Sequence, residues 1–400
     1  MLGTKRKTAL LGSASAVALL VAGAPVQAQT EVEVSGYVKG DAIYDTSGGT
    51  VGDSFAVSNI GMPGTPQHRL GPHFRAHAKQ SRFRLKTKSD TAFGDLTTYI
   101  EGDFNGQGGN QNVSNSTTFR LRHAYGTLGP LLVGQTWSNF VRFHYGSTVD
   151  FYGPQGVVLN RQAQIRYTFD VAPNTTVAVS AENPETFGSY TGAGDGSINS
   201  FNGGGVSIDK VPDFVAMIDY NAGGTSISAG GIFRQLYWDS GNTKNACPLP
   251  KCDDSATGFG ATFGISQQVL GRDSIMGEIT YGKGIGRYLN GVMPDAYLKT
   301  DGSLDAVKMI GFDATYTHVW SDTAESNVIF GEYHNYDTVG GGDLEQTRSL
   351  HANYMWHPVP RVTLGMEYMW GQKKTDGLVA GANDNVGSHN RIQFGAQYRF

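Results

Sequence analysis

In segment after segment of this 400-residue chain, every second residue is apolar and the residues between are polar or small. The last ten, RIQFGAQYRF, set Ile392, Phe394, Ala396, Tyr398 and Phe400 against Arg391, Gln393, Gly395, Gln397 and Arg399. A period of two belongs to a strand with one oily and one wet face. QSRFRLKTK puts Phe83 and Leu85 opposite Arg82, Arg84, Lys86 and Lys88, and QAQIRYTF puts Ile165, Tyr167 and Phe169 opposite Gln164 and Arg166. RVTLGMEYMW repeats the pattern, whereas at 131–140 and 325–335 it leaves the register open. In a soluble sheet the oily face would point to a core. A wet face of arginines and glutamines also fits a strand with lipid outside and water inside.

Turn signals decide how many strands there are. SDTAFGD near 91, LGPL near 129, DVAPNT near 172, NAGG near 222, LGRD near 271, SD near 321 and HPVP near 358 are short. Gly-, Asn-, Ser- and Asp-rich stretches between them, at 46–77, 105–116, 183–209, 239–255, 284–307 and 371–388, are long. Seven tight turns, with one strand before the first and one after the last, predict 16 strands. Short turns at one end and long loops at the other mark a bacterial outer-membrane barrel. Phe169, Tyr220, Trp320, Trp356 and Phe400 sit just before tight turns or the chain end; Tyr44, Phe104, Tyr281, Tyr333 and Trp370 sit just before long loops. Two aromatic rims fit the interfacial girdles of such a barrel; a soluble sandwich with edge aromatics is the alternative. In lipid every backbone N–H and C=O must be paired, which closure achieves for strands. The expected fold is therefore all-β, a 16-stranded antiparallel transmembrane β-barrel in the Gram-negative outer membrane, closed by pairing the last strand with EVEVSGYVKGDAIYD.

The front end reads as an export signal. Lys5, Arg6 and Lys7 precede an apolar stretch over 9–23, and Val26-Gln27-Ala28 offers small residues for cleavage after Ala28. Residues 1–28 are the expected signal peptide and 29–400 the barrel; an N-terminal anchor is the alternative, though fifteen residues is short for a span. Removal of three basic residues and no acids takes the formal charge from −4 to −7, which is not a nucleic-acid binder's balance. No apolar run after residue 28 is long enough for a membrane helix. Cys247 and Cys252 are expected to form a local disulfide in an oxidising compartment. A metal site is the weaker alternative, since two thiols alone do not close one. No metal or cofactor is expected.

Inward side chains of a barrel set what passes. Arg82, Arg84, Lys86 and Lys88 share one inner face, FRLRHAYG adds Arg120 and Arg122, and Arg161 or Arg166 followed by Arg391 and Arg399 continue the series. Such a track would draw small anions inward, guanidinium forks matching carboxylates; alternatively the arginines pair with inner acids such as Glu33, Asp41, Asp95, Glu101 and Asp103. The stretch 138–160 is too aromatic for a loop in open water. It is expected to fold into the lumen and narrow it, with Arg142, His144 and Asp150 as constriction groups, or else to pack at the rim or a subunit contact. His123 shares its parity with Phe119, Leu121 and Tyr125, so it would face lipid, which is costly. With the small outward residues Val34, Gly36, Val38, Gly40 and Ala42, it points to a protein-covered wall at strands 1–5, or else it snorkels to the interface. No GxSxG or HExxH motif supports an enzyme. A structural or adhesive barrel is the remaining non-channel class.

SGYVKGDAIYD, KQSRFRLKTKSDTAFGDLTTYIEGDF, FRLRHAYGTLGPLLVGQTWSNF, RQAQIRYTF and RVTLGMEYMWGQKK resemble the DcaP-like family of trimeric outer-membrane channels, strongly over about 35–170 and in order to residue 400. The resemblance implies a homotrimer in outer-membrane lipid that takes up small anionic solutes, dicarboxylates in particular; a general diffusion porin is the alternative. It implies a wall role for Arg82, Arg84, Lys86, Arg120, Arg122 and Arg166. It also implies that Tyr398 and Phe400 form the C-terminal signal read by the outer-membrane insertion machinery. Family members carry a helical coiled coil before the barrel. Here about three residues separate Ala28 from the first strand, too few for heptads, so the barrel walls would hold the trimer.

Overall fold

A computed structural model describes residues 30–47, 49, 51–106, 108–109, 112–190, 209–240, 249–290, 293–338 and 341–400. The expected signal over 1–28 lies outside them. The wall is one closed antiparallel sheet. Its strands are β1 (Glu31–Ser47), β2 in two pieces (His73–His77 and Arg82–Thr91), β3 (Gly94–Asp103), β4 (Arg120–Leu128), β5 (Leu131–Trp137), β6 (Arg161–Ala172), β7 (Thr175–Glu182) and β8 (Asp213–Ala222). They continue as β9 (Thr225–Asp239), β10 (Asp253–Gln268), β11 (Ser274–Lys283), β12 (Lys308–Ser321), β13 (Ala324–Asn335), β14 (Asp343–Trp356), β15 (Val362–Asp376) and β16 (Val386–Arg399). The wall therefore has the expected sixteen positions, and all seven tight turns fall where the sequence places them. Among the described residues no helix is long and apolar enough to cross a membrane.

Burial is inverted relative to a soluble sheet. Val32, Phe83, Ile165, Phe263, Met366 and Phe394 are exposed on the outer wall, while Gln162, Thr262, Ser349, Glu367 and Gln393 are buried inside. Backbone pairing closes the ring: β16 pairs with β1 from Tyr37↔Arg399 to Ser47↔Asn390, and Gly36 and Phe400 exchange backbone hydrogen bonds of 3.3 and 3.2 Å. Gly36 is required there by close approach, because a β-carbon would lie 2.1 Å from the Arg82 carbonyl oxygen. Tyr398 and Phe400 both face outward.

The second wall position is broken, which the alternation did not signal. Arg82–Lys88 pair with Glu31–Tyr37 and His73–His77 with Asp41–Asp45. Between the pieces Ser81 substitutes for the ladder. Its hydroxyl accepts from the Lys39 N–H at 3.1 Å and lies 3.4 Å from the Lys39 carbonyl. That keeps backbone groups satisfied where lipid would not.

Several expectations need correcting. β15 runs to Asp376, so the last loop is only 377–385, and the sequence does not signal the short connection between β13, ending at Asn335, and β14, starting at Asp343. The register at 325–335 puts odd residues inward, so Tyr333 is fully buried in the lumen and belongs to no girdle. His123 also points inward. Glu101 pairs with His123 but Gly102 with Leu121, so Arg122 is an extra residue in β4. That β-bulge reverses the parity of everything after it. Cys252 is disulfide-bonded, while its expected partner Cys247 lies outside the described residues.

Candidate functional site

The inner faces of β2, β3 and β4 build the central group. Register places Arg82 opposite Asp103 and Arg84 opposite Glu101, with Arg120 across from Asp103 on the other side. Glu101 accepts from Arg84 and Arg122, both at 2.7 Å, and lies 3.2 Å from Arg82. Asp103 takes a two-pronged pair from Arg120 at 3.0 and 2.8 Å, and a bond from Arg122 at 3.0 Å. Four guanidiniums thus share two carboxylates, a local excess of two positive charges. Arg122 is buried, with its side chain 4 % exposed, whereas those of Arg84 and Arg120 are 32 % and 33 % exposed.

Around this group stand rings and further cations. Arg82 and Arg84 lie over Tyr37, at 5.1 and 5.8 Å from its centroid, and Arg161 lies 4.8 Å over Trp137. Arg161 and the inward Arg166 make no ion pair among the described residues, nor does the exposed Lys86. Lys88, next along, is 2.9 Å from Asp95. The bulge turns His123 to within 2.9 Å of the Thr136 hydroxyl.

Loop 138–160 crosses the barrel interior. Its Asn139 N–H donates to Glu182 on β7 at 2.7 Å, and Arg142 forms a two-pronged pair with Asp219 on β8 at 2.6 Å. His144 sits between the hydroxyls of Ser228 and Ser266, on β9 and β10. Burial, then the nearby Arg142, holds that imidazole below its usual pKa. The Val149 N–H donates to Glu367 on β15. The Asp150 carboxylate is buried and accepts from the N–H groups of Phe55 and Tyr152. At the tip, the Phe151 ring lies 5.4 Å from the Arg120 guanidinium and 5.1 Å from that of Arg122. On the return the Val158 N–H donates to Glu278 on β11. Beside the tip is a pocket of about 160 Å³, lined by Tyr37, Lys39, Gln80, Phe151, Thr363 and Gln397.

Not every expected lumen residue meets this space. Arg391 is fully buried and cannot reach a solute. It is paired with Asp45 at 2.7 Å, donates to the Gly52 carbonyl at 2.7 Å, and lies over Phe55. Arg142, His144 and Asp150 all spend their polar atoms on docking the loop. Three parts of the interior were missed from sequence: the Tyr37 shelf, the buried Arg234 on β9, and loop 284–307, which also packs inside. Arg234 shares its inner parity with the buried Ile232, Leu236 and Trp238, so the alternation alone would have placed it outside.

Residues 20–194 match the family model described as DcaP outer membrane protein. Among solved structures, the outer membrane channel DcaP of Acinetobacter baumannii is 24 % identical, covering 95 % of this chain and 100 % of that chain, with a TM-score of 0.79. The anion-selective porin from Comamonas acidovorans is 13 % identical over 93 % of this chain and 100 % of that one, at 0.57. Salmonella typhi OmpF in complex with daunomycin is 9 % identical over 92 % and 97 %, at 0.56. At these identities the structural likenesses speak to the fold. No curated protein matches the chain.

Proposed function

We propose, from the match of residues 20–194 to the DcaP family of outer-membrane proteins, that this chain conducts small anionic solutes, dicarboxylates foremost. As an integral outer-membrane barrel it needs no energy source of its own, so selectivity must come from what lines the passage. The observation that carries the proposal is the arginine group on β2–β4. Its two carboxylates neutralise only half of its four guanidiniums, and Arg84 and Arg120 are left partly open to water. Arg161 and Arg166 add unpaired charge nearby. A solute with two carboxylates matches two separated guanidinium forks. The groups proposed to touch solute are Arg84, Arg120 and Arg161, with Lys86 and Arg166 along the approach. Arg82 and Arg122 hold the acids in place.

We further propose that residues 1–28 are removed on export, that the barrel assembles as a homotrimer, and that Tyr398 and Phe400 serve its insertion. The outward small residues Gly40 and Ala42 on β1, beside the break in β2, support a wall covered by another copy. His123 no longer supports it, since that ring points inward.

The channel reading is tested in planar bilayers under a salt gradient, followed by addition of succinate or phthalate. Anion preference with diacid-induced blocking, both weakened in Arg120→Gln, is the expected result. Large conductance with weak selectivity and no blocking would instead make this a general diffusion porin.

A further inference from the structure

The described residues of loop 284–307, 284–290 and 293–307, pack inside the barrel on the side away from the arginines of β2–β4. Ile285, Leu289 and Met293 pack with Val215, Met217 and Met309, inward residues of β8 and β12. It is joined to loop 138–160 as one strand is to another. Val158 and Leu289 form an antiparallel bridge, flanked by Leu159 N–H to Tyr288 O at 2.8 Å and Asn290 N–H to Val157 O at 2.7 Å. Asn290 Nδ2 also donates to the carbonyls of Tyr152 and Pro154, next to the tip at Phe151.

One side chain fastens this unit to the wall. Arg234 is fully buried. It donates to Asp213 on β8 at 2.9 Å and lies 2.8 Å from Asp295, which belongs to the loop. Its other N–H groups reach the Gly284 and Glu185 carbonyls, both at 2.6 Å. Arg287 stands 3.7 Å from Asp213, so two cations balance two carboxylates. Take Arg234 away and buried Asp295 keeps only the N–H groups of Phe187 and Arg287. A buried carboxylate stripped of its cation is strongly unfavourable. The available relief is for the loop to leave the wall and let water in.

We propose that Arg234 is a positioning residue for the conducting path. It holds loop 284–307 as a buttress behind loop 138–160, so that the two loops act as one unit and the open path is the space between that unit and the β1–β6 wall. This rests on the reading of the barrel as a channel. It does not depend on which solute is preferred.

The test is single-channel conductance of the full-length protein in planar bilayers. Arg234→Met is expected to raise conductance by about 1.5-fold or more, since the pore widens as the unit loosens. Arg234→Met with Asp295→Asn removes the charge imbalance and is expected to return conductance to the parent value, which a simple packing defect would not do. A folded Arg234→Met barrel with parental conductance, or a double variant as open as the single, overturns the proposal. Should Arg234→Met fail to insert, Val158→Cys with Leu289→Cys decides. Facing residues of a non-hydrogen-bonded pair suit a disulfide. A bond that forms in the folded barrel and leaves conductance unchanged supports the single unit; a pair that stays reduced overturns it. A parent barrel that does not conduct at all defeats the channel reading, whereas one that conducts but ignores Arg234 defeats only this inference.

Discussion

Glu101 is the residue on which most of the lumen chemistry turns. Its carboxylate gathers Arg82, Arg84 and Arg122, and accepts from Tyr99 at 2.8 Å. Two consequences follow from removing its charge in Glu101→Gln. Three guanidiniums lose their shared counter-charge, so the zero-current potential should shift further toward anions. The same change breaks buried ion pairs, so the barrel should lose on the order of 3 kcal/mol of stability to urea. A shift toward cations would mean that the arginine group does not govern selectivity. Arg391 teaches the opposite lesson at this scale. It shares the inner parity with the others, yet it is spent on Asp45 and on pinning the segment around Gly52. Parity tells which side of the wall an arginine is on, and says nothing of whether a loop has already claimed it.

At the scale of elements, loop 138–160 is held chiefly by polar bonds to inward residues of β7–β15, and by close backbone approach at Gly156. There φ is +85°, and a β-carbon would lie 2.1 Å from the Glu332 carbonyl oxygen. A side chain is thus doubly excluded, by conformation and by space. Gly156→Val should lift the return limb off β12 and β13, giving a noisier channel of higher mean conductance with an intact barrel on gels. An unchanged trace would show that the loop does not bound the path. The turns were legible because Gly, Pro, Asn and Asp punctuate them at regular intervals. The bulge at Arg122 was not, since one extra residue leaves the alternation on each side intact and only reverses its sense. The same holds for β13, whose mixed pattern arises because Ile329 and Tyr333 are apolar yet buried on the inner face, Tyr333 in the cluster with Val158 and Leu289 of the inserted loops. An inserted loop makes an oily inner face acceptable, and the two-faced code then fails locally.

For the whole molecule, the proposed trimer and export signal make one joint prediction. The outer-membrane form should begin at Gln29 and run, unheated, as a detergent-resistant species three chains in size that collapses to one chain on boiling. A mature protein retaining residues 1–28 would count against the signal reading, and a monomer before boiling would count against the trimer. The wall at β1 is where protection should concentrate, because the small outward residues Gly40 and Ala42 allow close approach of another barrel.

By itself the sequence determined the barrel: the period of two, the seven turns and the aromatic rims follow from the demands of lipid on backbone and side chain, and those demands are local and repetitive. It also assigned Arg82, Arg84, Arg120 and Arg122 to the inside. Only the tertiary structure decided what the interior contains. Which guanidiniums stay open to water, where His123 points, and how Arg234 ties one loop behind another depend on pairs such as Arg142–Asp219 and Arg234–Asp295, separated by 77 and 61 residues of chain. Such pairs leave no periodic trace, because each is made once, by residues that closure of the barrel alone brings together.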